Sequence, residues 1–183
     1  MSDLSVEVVD QTGRLKPAAV TWLTQHIEKA VRHIGARGEV RLRVVDDAEM
    51  ARAHEEYGGV PGTTDVLTFD LTDPGATPAP RIDHELGKLA SDQTVYGLDT
   101  DILACIDVAE RQIAPSNPES GGFAPVEREL LLYVVHGVLH CLGMDDRDEA
   151  AAAAMHRVED VVLTAIGVGP VYSGRDPGRG ASG

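Results

Sequence analysis

Between Pro125 and Leu142 the chain carries a pattern that only a helix buried on most of its sides can satisfy. Leu131, Val135, Val138 and Leu142 recur at helical spacing as one apolar stripe, and Leu130, Val134 and Cys141 form a second beside it. Such a helix must be surrounded, so the remaining chain has to supply a sheet and further helices to cover it. His136 and His140 lie inside the same stretch. A buried imidazole without a partner is costly, and two of them four residues apart lie one above the other on a single face, where both reach one metal ion.

The residues that follow point the same way. Gly143 stands where a residue without Cβ can end the helix in the left-handed conformation, and Asp145 and Asp146 come just after it. The spacing matches the zinc pattern H-x-x-x-H-x-x-G-x-x-ligand, with Asp146 as last ligand and Gly137 where a metalloprotease carries its general-base glutamate. The pattern therefore offers a metal site without a protease's base. Asp146 and Glu149 also fit a capping box for the final helix, and one carboxylate oxygen can serve each role. Asp145 either orients a water or ligand from behind the donor set or is a solvated turn residue.

The rest of the chain alternates short elements. Residues 4 to 9 alternate as a half-buried strand, and apolar residues recur at helical spacing from Leu15 to Ile34, with Pro17 in the first turn. A strand over 39–45 puts Val40, Leu42 and Val44 on one face and Arg41 and Arg43 on the other, as the solvated face of an edge strand does. Asp46 and Glu49 make a capping box for a helix through about Tyr57, and Thr64 to Leu71 reads as the next strand. Residues 72–99, with Pro74, Pro78 and Pro80, read as an irregular surface loop that includes His84. Ile102 to Ile106 is a strand buried on both faces, Asp107 to about Ile113 a helix, and about Arg147 to Ile166 the final helix. This order predicts a single α+β domain over residues 1–172, a small mixed four-stranded sheet with about five helices. Residues 173–183, rich in Gly, Ser, Pro and Arg, are expected to be a disordered tail.

Thirty acidic against sixteen basic residues give a net charge of −14, which argues against a uniformly basic nucleic-acid surface. RNA binding would then need a local basic face, for which Arg41, Arg43 and Arg128 are the candidates, or a metal cation that holds a phosphate. The N-terminus lacks a positive segment followed by an apolar one, and no apolar run approaches membrane-spanning length, so a cytoplasmic protein without membrane contact is expected. Cys105 and Cys141 each fall in an apolar run and read as buried free thiols, Cys141 as core rather than ligand.

His136, Gly137, Leu139, His140, Leu142, Gly143 and Asp145 resemble the signature H-G-x-L-H-L-x-G-Y-D-H of the YbeY proteins. Thr64 to Phe69 resembles the family's T-[DN]-V-L-S-F strand, and Asp101 to Ile106 with Glu110, Arg111 and Gln112 is similar to its G-D-I strand and following helix. The agreement in order and spacing covers about residues 4 to 172. The resemblance implies a metal-dependent single-strand endoribonuclease of small-subunit rRNA maturation and ribosome quality control. It would carry one Zn²⁺ per chain on His136, His140 and Asp146, with metal-bound water attacking or polarising the phosphate. Its partners would be precursor rRNA and the small ribosomal subunit or associated proteins, with no DNA. Three departures from the family bear on the site: Asp146 stands for its last histidine, Gly58 for an arginine thought to contact phosphate, and Thr100 for the glycine before D-I. The absent arginine and the acidic composition leave a second reading, a non-catalytic ribosome-biogenesis factor with a structural metal. A metalloprotease is disfavoured by Gly137.

Two core-facing imidazoles and a carboxylate at ligand spacing predict close to one tightly held divalent ion per chain. Elemental analysis of gently purified protein checks this, and finding none would refute it.

Overall fold

The computed structural model describes residues 4–73, 82–90, 96–113 and 125–172. The elements run β1 (Ser5–Asp10), α1 (Pro17–Ile34), β2 (Ala36–Val45), α2 (Asp47–Gly58), β3 (Val66–Asp70), β4 (Ile82–Asp83), β5 (Lys88–Leu89), β6 (Tyr96–Cys105), α3 (Ile106–Ile113), α4 (Pro125–Cys141) and α5 (Glu149–Ala165). A four-stranded sheet has the order β1-β2-β6-β3, with β1, β2 and β6 parallel and β3 antiparallel to β6. The α+β architecture with a mixed sheet and five helices among the described residues is the one expected. The tail from residue 173 lies outside the described residues.

Alternation along the strands makes the sheet two-faced. Val40, Leu42, Val44, Leu98, Ile102 and Ala104 form one core with residues of α1, α4 and α5, and α4 contributes an almost unbroken buried run from Leu130 to Val135, then Val138, Leu139 and Leu142. On the opposite face Val45, Leu103 and Cys105 pack under Met50 and Ala53 of α2. Both cysteines are free and buried. Truncating one of the α4 leucines would cost about 2–5 kcal/mol, against about 0–1 kcal/mol for an exposed ion pair such as Arg32 with Glu28. Packing around α4 thus outweighs surface charge pairing in holding the fold.

Two expectations are corrected. β2 is an interior strand, flanked by β1 and β6, and not an edge. Its arginines are tolerated because α2 covers only one end of that face. Elsewhere on it Arg41 binds Asp99 and Asp101 of the neighbouring strand and Glu39 of its own, and Asp101 stands directly opposite Arg41 in register. β6 also begins at Tyr96, well before the apolar run at Ile102, and pairs with β2 over its whole length. Part of the stretch read as an irregular loop is therefore sheet, and another part is the β4–β5 hairpin, with His84 exposed in its turn.

The start of α2 is held as anticipated by Asp46, whose Oδ1 accepts from Glu49 N–H at 2.9 Å. Next to it Asp47 receives two hydrogen bonds from Arg111 of α3, at 2.6 and 2.8 Å, and Asp47 N–H donates to Asp107 at 2.8 Å. The Arg111 hydrogen bonds hold the Asp47 carboxyl at about 2, below its ordinary value of 3.8. A carboxylate with a depressed pKa stabilises the fold above its unfolded value, and that stability is lost as pH falls through the folded one. Urea unfolding between pH 4 and pH 2 is therefore expected to show Asp47→Asn losing less stability with acid than the parent chain, and parallel curves would refute the link.

Candidate metal centre

The helix α4 brings His136 and His140 to its C-terminal end, and the turn after it determines what they meet. Gly143 has φ +81°, its N–H donates to His140 O at 2.9 Å, and Met144 N–H donates to Leu139 O at 3.0 Å. This reversal, which favours glycine, satisfies the last carbonyls of the helix and folds the following residues back over its end. Met144 O then accepts from His140 Nδ1 at 3.0 Å, and Asp146 comes to face both imidazoles.

The ring nitrogens can be assigned from their partners. His136 Nδ1 lies 2.7 Å from Glu159 Oε1, and a carboxylate or carbonyl only accepts, so each Nδ1 carries the proton. Both Nε2 lone pairs are left facing each other at 3.0 Å, with Asp146 oxygens 3.7 Å from His136 Nε2 and 3.8 Å from His140 Nε2. Two acceptors and a carboxylate at these separations repel unless a cation or proton stands among them. Tetrahedral ligation at about 2.0–2.1 Å requires donor separations of about 3.3 Å, which the three distances bracket. The donor set therefore fits one divalent ion. Burial acts to lower the His136 pKa, but the hydrogen bond to Glu159 and the charges of Glu159, Asp146 and Asp65 outweigh it and raise the pKa.

Glu159, on α5, is fully buried, and among the described residues its Oε2 has no hydrogen-bond partner. Sequence reasoning passed over it, although a glutamate standing between Met155, Val158 and Val162 on an apolar stripe is a legible anomaly. The cap of α5 is Asp148, whose Oδ1 accepts from Ala151 N–H at 2.8 Å, so the expected capping box at Asp146 and Glu149 is not formed. Asp145 holds the turn instead of the donors: its Oδ1 accepts from Asp146 N–H at 2.8 Å and Arg147 N–H at 3.2 Å, and its Oδ2 lies 3.3 Å from Arg147 Nε.

The centre opens into a cleft of about 420 Å³ between α4 and the free edge of β3, lined by Thr64 to Thr68, Asp70, His136, His140 and Cys141. Burial pushes the Cys141 thiol up to about 11, and its Sγ donates to Thr100 Oγ1 at 3.5 Å. It stays a neutral core thiol, as expected. A Cβ on Gly137 would collide with Thr68 Oγ1 and come within 3.3 Å of Ile102 Cδ1, so a glutamate has no room at this position. The three candidate arginines are not gathered here. Arg41 is engaged by carboxylates on the far face of the sheet, Arg43 is exposed on the same strand, and Arg128 lies two turns up α4, about 12 Å along its axis from His136. Among the described residues no Lys or Arg lines the cleft, which carries Asp65 and Asp70.

With Asp148 as the cap, Asp146→Asn tests ligation alone. It is expected to weaken divalent-metal affinity by at least about tenfold, with Asp146→His retaining binding and Glu159→Gln losing about 10–100-fold through the misplaced His136 ring. Metal titration against a competing chelator checks all three, and equal affinities for Asp146→Asn and the parent would remove Asp146 from the centre.

The sequence profile of the endoribonuclease YbeY family matches residues 6–167. Among curated relatives, an endoribonuclease YbeY of Micrococcus luteus is 30% identical over 166 residues, covering 89% of this chain and 92% of that protein. One of Acidothermus cellulolyticus is 31% identical over 179 residues, covering 96% and 99%. One of Desulfitobacterium hafniense is 34% identical over 149 residues, covering 80% and 84%. A solution structure of a Thermotoga maritima protein shares the fold with a TM-score of 0.50 at 20% identity, covering 96% of this chain and 99% of that one. A half-buried histidine pair opening on a cleft, found in a chain matched over nearly its whole length, makes this protein a member of the endoribonuclease YbeY family.

Proposed function

We propose that this endoribonuclease acts on single-stranded segments of precursor rRNA from the small ribosomal subunit, in the cytoplasm, with one Zn²⁺ on His136, His140 and Asp146. The observation that carries the reading is the pair of Nε2 atoms 3.0 Å apart at the wall of the cleft, with Asp146 beside them. A divalent ion held there would lower the pKa of a water and polarise a scissile phosphate. The protein's part is positioning. Glu159 and Met144 O hold the two imidazole protons and aim both Nε2 atoms outward, while the Gly143 turn fixes Asp146. The edge of β3 forms the opposite wall, along which an extended strand can lie.

The structural-metal alternative is weaker on geometry. A closed structural site would enclose its donors, whereas His140 and Asp146 side chains are 33% and 41% exposed and the histidines face the cleft. Loss of the arginine at Gly58 leaves phosphate contact to the ion and to residues outside the cleft. No helix among the described residues is long and apolar enough to cross a membrane.

The test is cleavage of a small-subunit rRNA precursor by purified protein. Activity should disappear with a chelator, return with Zn²⁺, and be absent from His136→Ala. Full activity in the chelated protein would refute the proposal. RNA affinity should also fall by about 0.7 logarithmic units per tenfold rise in salt for each phosphate neutralised, and a flat response would rule out phosphate-led binding.

A further inference from the structure

The segment 57–71, which ends in the strand forming the cleft wall, carries three of the five exposed large apolar side chains among the described residues: Tyr57, Val60 and Leu71. Tyr57 ends α2 and is 63% exposed. Its ring stands edge-on to Phe69, with centroids 5.1 Å apart and planes at 79°. Phe69 lies between Thr68 and Asp70, which line the cleft, and strand alternation puts its side chain on the other side of β3. Since β3 is the edge of the sheet among the described residues, the aromatic pair and the metal centre lie on either side of that one strand.

We propose that Tyr57 is a stacking platform for an unpaired RNA base, placed so that one strand crosses the β3 edge with its phosphate at the cleft and a neighbouring base on the ring. The inference rests on the RNA reading of the same cleft and adds how the strand is gripped. Among the described residues the cleft carries Asp65 and Asp70 and no Lys or Arg, so side-chain charge pairing adds nothing there to the grip of the metal ion, whereas stacking on an aromatic face is indifferent to charge and to sequence. The edge-on contact with Phe69 fixes the ring while leaving its face accessible. Arg52, 67% exposed and hydrogen-bonded to Glu49 one turn earlier on α2, lies on the same helix as Tyr57 and offers a cation to a flanking phosphate. A duplex hides its base faces, so the platform selects single strands.

The experiment is equilibrium binding of a short unstructured RNA to metal-loaded protein, followed by fluorescence anisotropy, with Tyr57→Ala, Tyr57→Phe and a set of oligonucleotides abasic at one position each. Tyr57→Ala should bind about tenfold more weakly, Tyr57→Phe about as well as the parent, and one abasic position should cost the parent about tenfold while costing Tyr57→Ala nothing further. The same RNA annealed to its complement should bind the parent and Tyr57→Ala alike. Unchanged affinity in Tyr57→Ala, or abasic losses that simply add to it, would overturn the platform while leaving cleavage intact, and would make the patch a contact for another protein. A parent chain that neither binds nor cleaves RNA would overturn both readings together.

Discussion

The hydrogen bond between His136 and Glu159 joins the two elements on which the centre depends. Glu159 is 0% exposed, and a carboxylate withdrawn from water costs several kcal/mol unless a hydrogen-bonded partner offsets it. The partner is an imidazole on α4, so α5 cannot slide along α4 without leaving a buried charge unmatched. The contact therefore fixes helix packing and ring orientation at once. The apolar residues around it, Met155, Val158 and Val162 on α5, Leu139 on α4 and Leu142 just after it, have no such directional demand and fill the space that this contact defines.

Much of the fold and the centre was legible because the pattern that marks an element and the chemistry that marks a site coincide in α4. Its two apolar stripes required burial, and burial made two histidines significant. The glycine reversal then brought Asp146 back to them. What escaped the sequence did so for identifiable reasons. β6 begins with Gly97, Asp99 and Asp101 alternating with Leu98 and Thr100, and the polar members face the part of the sheet that α2 leaves open, so the strand does not read as an apolar run. Arg41 resembles an edge-strand charge because its neutralising partners lie on a strand some sixty positions away. The cap of α5 was misplaced by two residues, since Asp146 and Asp148 are chemically identical and only the chain path decides which one reaches Ala151 N–H. Glu159 was missed because a single charged residue in a helix is ordinarily assigned to the surface.

The departures from the family pattern form a consistent set. Asp146 adds negative charge to the donors, Gly58 removes positive charge from the end of α2, and Asp65 and Asp70 face the same cleft. Together with these carboxylates, of which Asp65 agrees with the family pattern, the two substitutions make the cleft more attractive to cations and less so to bare phosphates. On the function proposed above, substrate affinity would then rest less on charge pairing and more on metal coordination and aromatic contact. This accounts for how a chain of net charge −14 can belong to a family of enzymes acting on a polyanion.

The tight approach of α4 to β3 at Gly137 bears on what this scaffold can become. Peptidase chemistry on the same pair of histidines would need an acidic base at that position, and Thr68 and Ile102 fill the space it would occupy. A lineage would have to shrink those neighbours first, opening a void in the wall of the cleft that nuclease function uses. The intermediate would be poorer at the old reaction before it gained the new one. The missing Cβ at Gly137 thus excludes an acidic side chain from the cleft wall as it is packed, and with it the peptidase base on this pair of histidines.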